Sequence, residues 1–359
     1  MMKMGTRFLL VVLLTCGGLA AQSTPSPALL VLAKRDRMLA IVDPSTLKVV
    51  ARVPVGPDPH EVIADAEGRF AYASNYGGGA YHTLGVVDLV GQKALPPVDL
   101  GPLSGPHGLT FMGGKVWFTA EGAKVIGRYD PSTKRVDWVL GTGQDRTHMI
   151  FVVADLKRIV TSNVSSGTMS IIEQTAGHGF GPPPGFARPG GPPGPAPGGV
   201  PGGPPPAPRP DWEQTVIKVG RGAEGFDVSP DGKEIWTGNA QDGTISIIDF
   251  AGKRVVDTLN ANVRGANRLK FTLDGKLVLV SCLGGSDLAV FDAATRREVK
   301  RVKLGHGAAG ILMQPDGSRA YVACSPDNFV AVVDLKSLEV VSHIEAGNEP
   351  DGLAWAVRH

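Results

Sequence analysis

Short apolar segments alternate with polar turns from about residue 29 to the C-terminal end of the chain. One unit recurs: an apolar strand ending in Asp, a polar turn, a second apolar strand and Gly, as in "LAIVDPSTLKVVARVPVG". The acidic residues that end the first strand are Asp43, Asp88, Asp130, Asp249, Asp292 and Asp334. Their spacings are 45, 42, 119, 43 and 42 residues, and the long interval holds a further copy, "MSIIEQ", with Glu173 in the Asp position. Seven copies with a period of about 42 residues predict a repeat architecture.

A second kind of hairpin lies between these copies. It consists of a strand, an Asp-Gly or Glu-Gly turn and another strand, as in "EGFDVSPDGKEIWTGN". Each unit therefore holds four short strands, A to D, and strand A follows the Gly-rich loop. The chain starts with a B-like strand at 29–34 and ends with an A-like strand at 351–357. We therefore predict an all-β, seven-bladed β-propeller over 29–359, in which N-terminal strands B–D pair with the C-terminal strand A to close the ring.

The repeated segments resemble a known family. "YASN", "VTSN" and "WTGN" are degenerate forms of the tetrapeptide of YVTN-repeat, or YncE-like, seven-bladed β-propellers, and the resemblance covers essentially all of 29–359. One blade, from "GPHGL" to "RYDPSTKRV", is also similar to blades of streptogramin-lyase-type propellers. The resemblance implies the fold but no single activity, because propellers host many unrelated functions.

Two segments depart from the repeat. Residues 1–21 have a basic head with Lys3 and Arg7 and an apolar run up to Leu14, which is typical of a signal peptide and predicts a periplasmic or secreted protein. Residues 177–210 consist mainly of Pro and Gly without a three-residue period, which predicts a disordered insertion in the turn between strands C and D of one blade. No later stretch is long and apolar enough to predict a transmembrane segment.

Charge and cysteine content narrow the possible partners. The formal net charge of +2 gives no field that would hold nucleic acid, so we expect a small anion or a protein as the partner, and a monomer. Cys282 and Cys324 take the same position in neighbouring blades, where their Cα atoms are expected to be too far apart for a disulfide. Free, buried thiols are therefore expected.

Two columns of polar residues are predicted at one mouth of the central channel, because the starts of A strands and the ends of B strands share a face. The first column opens strand A and comprises His60, His107, His148, Glu224, Asn267, Ala309 and Asp351. The second ends strand B and comprises Lys34, Asn75, Glu121, Asn163, Asn239, Cys282 and Cys324.

The histidines of the first column indicate metal binding or acid–base catalysis. His60, His107 and His148 come from three consecutive blades, and three converging imidazoles suit a divalent metal ion. With Glu121 or Glu224 beside them, His107 and His148 could instead act as general acid–base groups. A third interpretation is that these side chains bind only water and one another, as polar residues at propeller mouths do.

Arginines add a preference for anions. Arg146, Arg221, Arg264 and Arg268 lie on the segments that enter the third to fifth blades, and a carboxylate or phosphate would bind on that side. The further ligand-binding candidates are His60, Asn75, Asn163, Asn239, Asn267 and Asp351. The loop 75–85, which contains Tyr76, suits a flap.

The first hypothesis is an exported propeller that binds a small anion or a protein at this mouth. The alternative is a lyase or lactonase-like enzyme, with or without a metal ion.

Overall fold

The computed structural model describes residues 23–176 and 210–358, and within them the chain forms seven antiparallel sheets of four strands each. We number the strands β1 to β28 in chain order and call each sheet a blade, counted from the first one that is continuous in sequence. Blade 1 comprises β4 (Pro59–Ala64), β5 (Phe70–Asn75), β6 (Thr83–Asp88) and β7 (Lys93–Asp99). Blade 2 comprises β8 (Pro106–Met112), β9 (Lys115–Ala120), β10 (Val125–Asp130) and β11 (Arg135–Gly141).

The next four blades repeat this arrangement. Blade 3 comprises β12 (Thr147–Val152), β13 (Arg158–Asn163), β14 (Thr168–Thr175) and β15 (Asp211–Lys218). Blade 4 comprises β16 (Ala223–Val228), β17 (Glu234–Asn239), β18 (Thr244–Asp249) and β19 (Arg254–Leu259). Blade 5 comprises β20 (Ala266–Phe271), β21 (Leu277–Cys282), β22 (Asp287–Asp292) and β23 (Arg297–Lys303). Blade 6 comprises β24 (Ala308–Met313), β25 (Arg319–Cys324), β26 (Phe329–Asp334) and β27 (Glu339–Ile344).

Blade 7 joins the two ends of the chain. Its strands are β28 (Pro350–Ala356), β1 (Ala28–Ala33), β2 (Met38–Asp43) and β3 (Lys48–Pro54), in that order. β28 pairs antiparallel with β1, and Leu29 lies opposite Trp355. The predicted all-β, seven-bladed fold and its closure by the C-terminal strand A are therefore confirmed.

The core lies between neighbouring blades. Strand B is almost wholly buried in every blade, and its apolar residues pack against those of the next sheet. Trp236 of blade 4, for example, shares one cluster with Leu269 and Val280 of blade 5. The outer D strands alternate exposed and half-buried positions, as β27 does, because only one of their faces meets protein. Each blade is therefore held by both neighbours, which fixes the residues that line the channel.

The recurring Asp of strand C is structural. Asp43 Oδ1 accepts hydrogen bonds from the backbone N–H and the hydroxyl of Ser45 at 2.8 and 2.7 Å. Asp130 accepts the same pair from Ser132. These carboxylates close the C–D turns and take no part in the channel.

Two predicted segments lie outside the described residues. Residues 1–22 include the predicted signal peptide, and 177–209 include nearly all of the predicted insertion. The flanking strands are described: β14 and β15 are neighbours in blade 3, with Thr175 opposite Asp211. The helical element within the described ranges is one 3-10 turn, Gly77–Gly79, and no helix there is long and apolar enough to cross a membrane.

Candidate ligand site at the channel mouth

A backbone irregularity at the start of strand A aims the first polar column. In each blade the pairing of strands A and B shifts register just after the opening residue, between Pro106 and Leu109 in blade 2 and between Thr147 and Ile150 in blade 3. An irregularity of this kind re-aims the side chains that it contains. His107 and His148 lie within these shifts, and His60 lies within the shift of blade 1. The repeated backbone thus turns three histidines toward one place.

The three imidazoles form one cluster of contacting rings. The ring centroids of His107 and His148 are 3.8 Å apart with planes tilted by 33°, and those of His60 and His107 are 5.1 Å apart. Tyr76 stands edge-on to both His60 and His107, at 5.1 and 5.2 Å. The structure therefore brings together the three histidines that the sequence places in one sector.

Glu121 holds His148 in a fixed orientation. Nδ1–H of His148 donates to Oε1 of Glu121, since a carboxylate can only accept. Oε2 of the same carboxylate accepts from the Tyr76 hydroxyl at 2.6 Å and lies 3.4 Å from Nε of Arg146. In neutral His148, Nε2 is therefore the atom with the free lone pair. A water molecule or a ligand beside Nε2 could therefore give a proton to this ring.

These contacts and the burial of the site also shift the pKa values of its groups. Burial alone would raise the pKa of Glu121, but the hydrogen bonds from His148 and Tyr76 and the charge of Arg146 outweigh it, and the pKa is lowered. Burial and the bond to Glu121 raise the pKa of Tyr76 to about 12. Burial, followed by the charges of His148 and His60, lowers the pKa of His107 well below its ordinary value. The site thus combines an ionised Glu121 with a neutral His107 and a neutral Tyr76.

Acidic groups face the histidines from the other blades. Oε1 of Glu224 lies 3.6 Å from Nε2 of His148 and accepts from Nδ2 of Asn267 at 3.0 Å. On the other side, Oδ2 of Asp351 lies 3.4 Å from Nδ1 of His60 and 3.6 Å from Nζ of Lys34. A ligand at this mouth would therefore meet both carboxylates and cations.

An ion pair spans the channel beneath these groups. Arg268 of blade 5 donates to Glu61 of blade 1 and to its neighbour's carbonyl, Asn267 O, the latter at 2.9 Å. Burial would lower the pKa of Arg268, but the charge of Glu61 reverses the effect and raises it. The guanidinium stays charged and closes the mouth from below.

We call the enclosed space the mouth cavity. It has a volume of about 200 Å³, and its wall includes Lys34, His60, Tyr76, His107, Arg146, His148, Glu224, Asn267, Arg268 and Asp351. Three buried polar atoms in this wall, His107 Nδ1, His148 Nε2 and Asn267 Oδ1, have no hydrogen-bond partner among the described residues. Unpartnered buried atoms are uncommon in native proteins, and water or a ligand usually satisfies them.

The histidines do not surround a metal position. Among residues 23–176 and 210–358, no group of three or more His, Cys, Asp or Glu side chains is arranged to hold a metal ion. The physical reason is the stacking of His107 on His148, together with the use of His148 Nδ1 by Glu121. The metal hypothesis for His60, His107 and His148 therefore stays a prediction from the sequence.

The second polar column needs a correction. Asn75, Asn163, Asn239, Cys282 and Cys324 end strand B at one structural position, but Ala120 and Ala33 occupy that position in blades 2 and 7. Glu121 and Lys34 are therefore one residue further along. Because a step of one residue turns a side chain to the opposite face, Lys34 lines the mouth and Glu121 contacts His148 in its wall, whereas the true column points into the blades.

The asparagines of this column join strands B and C within their own blades. Nδ2 of Asn163 donates to Thr168 and Ser170 at 3.1 and 2.9 Å, and Nδ2 of Asn239 donates to Thr244 and Ser246, both at 2.9 Å. Asn75 donates to Thr83 at 3.0 Å. All three are buried and do not line the mouth cavity. The expectation that they bind ligand is not supported, because their amides are used between strands B and C.

Two of the four arginines also lie elsewhere. Arg221 pairs with Asp242, with its side chain 73% exposed, and Arg264 donates to Gln241 O at 3.2 Å. Only Arg146 and Arg268 of the four line the mouth cavity.

Cys282 and Cys324 are buried and form no disulfide in the described part of the chain, as expected.

Sequence reasoning missed two residues of the site. Tyr76 was expected only as part of a flap, yet its hydroxyl bonds Glu121 within the wall. Glu61 directly follows His60, and its partner Arg268 lies across the channel. The available signals were that Glu61 follows His60 and that Tyr76 follows Asn75 at the end of strand B.

Comparison with known proteins supports the fold. The model of the YNCE-like β-propeller family matches residues 208–319. A functionally unknown protein from Desulfotomaculum acetoxidans is similar with a TM-score of 0.70 at 14% identity, over 93% of this chain and 100% of that one. A putative 6-phosphogluconolactonase from Bacteroides uniformis gives 0.67 at 14%, over 92% and 99%.

A third solved structure, Kuenenia stuttgartiensis hydrazine synthase, gives a TM-score of 0.66 at 18% identity, over 89% of this chain and 98% of that one. At these identities the likeness concerns the fold alone. A search of curated protein sequences finds no significant match. The seven-bladed fold and the match over residues 208–319 together confirm the resemblance to YncE-like β-propellers that the repeats predict.

Proposed function

We propose that the mouth cavity binds a small anionic molecule that carries hydroxyl groups. The observation that carries this proposal is a set of three buried polar atoms, His107 Nδ1, His148 Nε2 and Asn267 Oδ1, which belong to residues of the cavity wall and have no partner among the described residues. A volume of about 200 Å³ lies below the range of about 300–1,000 Å³ that drug-sized ligands need. A cavity of this volume favours a small metabolite as the ligand.

The charges around the cavity define the ligand class. Lys34 and Arg146 make ion pairs of 3.6 and 3.4 Å, which leave donors for a carboxylate or phosphate. Glu224 and Asp351 would repel a second anionic group but accept hydrogen bonds from hydroxyls. A hydroxy acid or a sugar acid meets both demands.

The test is a thermal-shift panel of hydroxy acids, sugar acids, sugar phosphates, lactones and neutral sugars, followed by calorimetry on the best compound. Arg146→Gln is expected to weaken binding at least about tenfold, because it removes a charged hydrogen bond. Arg221→Gln is the matched control, since that arginine lies outside the cavity. The proposal would be contradicted if no compound raised the melting temperature, or if both variants lost the same amount of affinity.

Acid–base catalysis is a second candidate, favoured by the Glu121–His148 pair. In hydrolysis of a lactone, Nε2 of His148 would take a proton from water as the water oxygen attacks the carbonyl carbon. It would then return that proton to the ring oxygen as the C–O bond breaks. Glu121 would stabilise the imidazolium in between. One structural neighbour is a putative 6-phosphogluconolactonase, which is why lactones belong in the panel.

Turnover assays separate this candidate from simple binding. His148→Gln is expected to lower turnover by about 100-fold or more, and Glu121→Gln by less. His306→Gln, an exposed histidine paired with Asp327, is the control and should change nothing. Binding without turnover of any lactone or ester would reject the enzymatic role and leave the binding role standing.

The same proposal includes export and a monomeric state. Lys3, Arg7 and the apolar run that follows support export to the periplasm or the medium. Expression of the full chain in a bacterium should give a mature protein that begins near Gln22 outside the cytoplasm, with the mass of one chain by light scattering. Retention of the intact N-terminal segment in the cytoplasm would contradict export.

A further inference from the structure

The channel contains a second cavity below the Glu61–Arg268 ion pair, which we call the far chamber. It has a volume of about 430 Å³ and lies toward the ends of the A strands, where they turn into the B strands. Glu61 and Arg268 line it at its inner end, and Arg268 also lines the mouth cavity. The ion pair therefore separates two spaces with different walls.

The wall of the far chamber is mainly apolar. It includes Ile63, Phe111, Phe151, Phe226, Leu312 and Trp355, which come from six different blades. All of these except Phe226 are only half-buried, so the chamber leaves apolar surface open to solvent. Covering such surface with an apolar molecule is favourable because it removes the surface from water. Its volume falls in the range of small-molecule pockets, about 300–1,000 Å³.

One cation of the wall has unused hydrogen-bonding capacity. Nζ of Lys270 lies 3.4 Å from Oδ1 of Asp227, and the lysine side chain is 38% exposed. Asp227 is 17% exposed, and its other oxygen accepts from the backbone N–H of Phe271 at 3.0 Å. The carboxylate is thus satisfied within the wall, whereas the ammonium group has three donors and one long contact. The wall therefore offers a ligand the free N–H donors of the Lys270 ammonium group.

We propose that the far chamber binds an amphiphilic anion, a molecule with an aliphatic or aromatic body and one carboxylate or sulfonate group. The body would cover the apolar wall, and the anionic group would meet Lys270. This site is separate from the mouth cavity and does not depend on the function proposed for it.

The test measures the binding of octanoate, octan-1-ol and octylammonium to the full chain by calorimetry, with fluorescence of the tryptophans as a second readout because Trp355 lines the chamber. Octanoate should bind at one site and more tightly than octylammonium. Lys270→Gln should weaken octanoate binding about two- to fivefold, the size of a solvent-accessible ion contact. Lys276→Gln, an exposed lysine on a turn, is the matched control.

A second variant fills the chamber. Thr110 lies in the wall on β8, and Thr110→Phe should abolish octanoate binding while ligands of the mouth cavity bind as before. Thr133→Phe, on an exposed turn, controls for the added ring, and circular dichroism checks the fold of both. The proposal is overturned if octanoate does not saturate, if octylammonium binds as tightly as octanoate, or if Thr110→Phe leaves the affinity unchanged.

Discussion

Blades 1–3 and blades 5–6 carry different chemistry on the same backbone. The second residue of strand A is His60, His107 or His148 in the first group, but Asn267 or Ala309 in the second. Both groups have the same register shift at this point. The repeat therefore fixes where a side chain points, and substitutions at equivalent positions decide what it does.

The two sectors also differ in how they are stabilised. In blades 5 and 6, the mouth residue Ala309 and the strand-end residues Ala308, Cys282 and Cys324 are small and buried, and they need no polar partner. In blades 1–3 the buried His107, Glu121 and His148 depend on one another, because an uncompensated buried polar group is costly. Substitutions should therefore be much more disruptive in the polar sector.

The largest effect is expected from Glu121→Leu. It leaves Tyr76 and His148 without their shared acceptor, and breaking a buried charged pair in this way costs about 3 kcal/mol of unfolding free energy. Denaturant unfolding at pH 7 measures the change. A loss below about 1 kcal/mol would mean that the sector does not depend on this carboxylate.

A smaller effect, independent of the ligand, is expected from Asn239→Ala. The hydroxyls of Thr244 and Ser246 lose the amide that bridges them, which should cost about 2 kcal/mol. Ligand affinity at the mouth should stay the same, because this amide lies inside blade 4. If the folded variant bound ligand more weakly, the residues that end strand B would have to be counted as part of the ligand site.

The third effect depends on pH. The pKa of His107 is lowered in the folded protein from its ordinary 6.5, so below about pH 6.5 the unfolded chain takes up a proton that the native site refuses. Native stability should therefore fall as the pH decreases from 6.5. His107→Gln should flatten the curve by up to about 1.4 kcal/mol per pH unit. His306→Gln should keep the wild-type slope, and an equal flattening in both variants would show that His107 is not the cause.

The smallest effect is expected in the apolar sector. Cys282→Ala and Cys324→Ala each remove one buried sulfur and should cost about 1 kcal/mol or less. Burial raises the pKa of both thiols from 9.0 to about 11. Alkylation of the native protein at pH 8 should be about a hundredfold slower than that of the unfolded chain, since the thiolate reacts. Fast native labelling would indicate an exposed thiol.

The fold could be predicted from the sequence because one pattern repeats and both termini carry part of a unit. The position of the histidines followed from the same repeat. Glu121 and Lys34 were assigned to the wrong column because strand ends were aligned by sequence, and only the pairing shows Ala120 and Ala33 in that place. The Glu61–Arg268 pair joins blades on opposite sides of the channel, a contact that no local spacing encodes.

Histidine NMR tests the central claim, that a small ligand binds in the mouth cavity beside the histidines of blades 1–3, most directly. In protein labelled with 15N-histidine and assigned by single His→Gln variants, the best compound of the hydroxy-acid and lactone panel should shift the ring signals of His60, His107 and His148. The exposed His82 and His306 should not move. Shifts confined to His82 or His306, or spectra that no compound of the panel changes, would contradict the account.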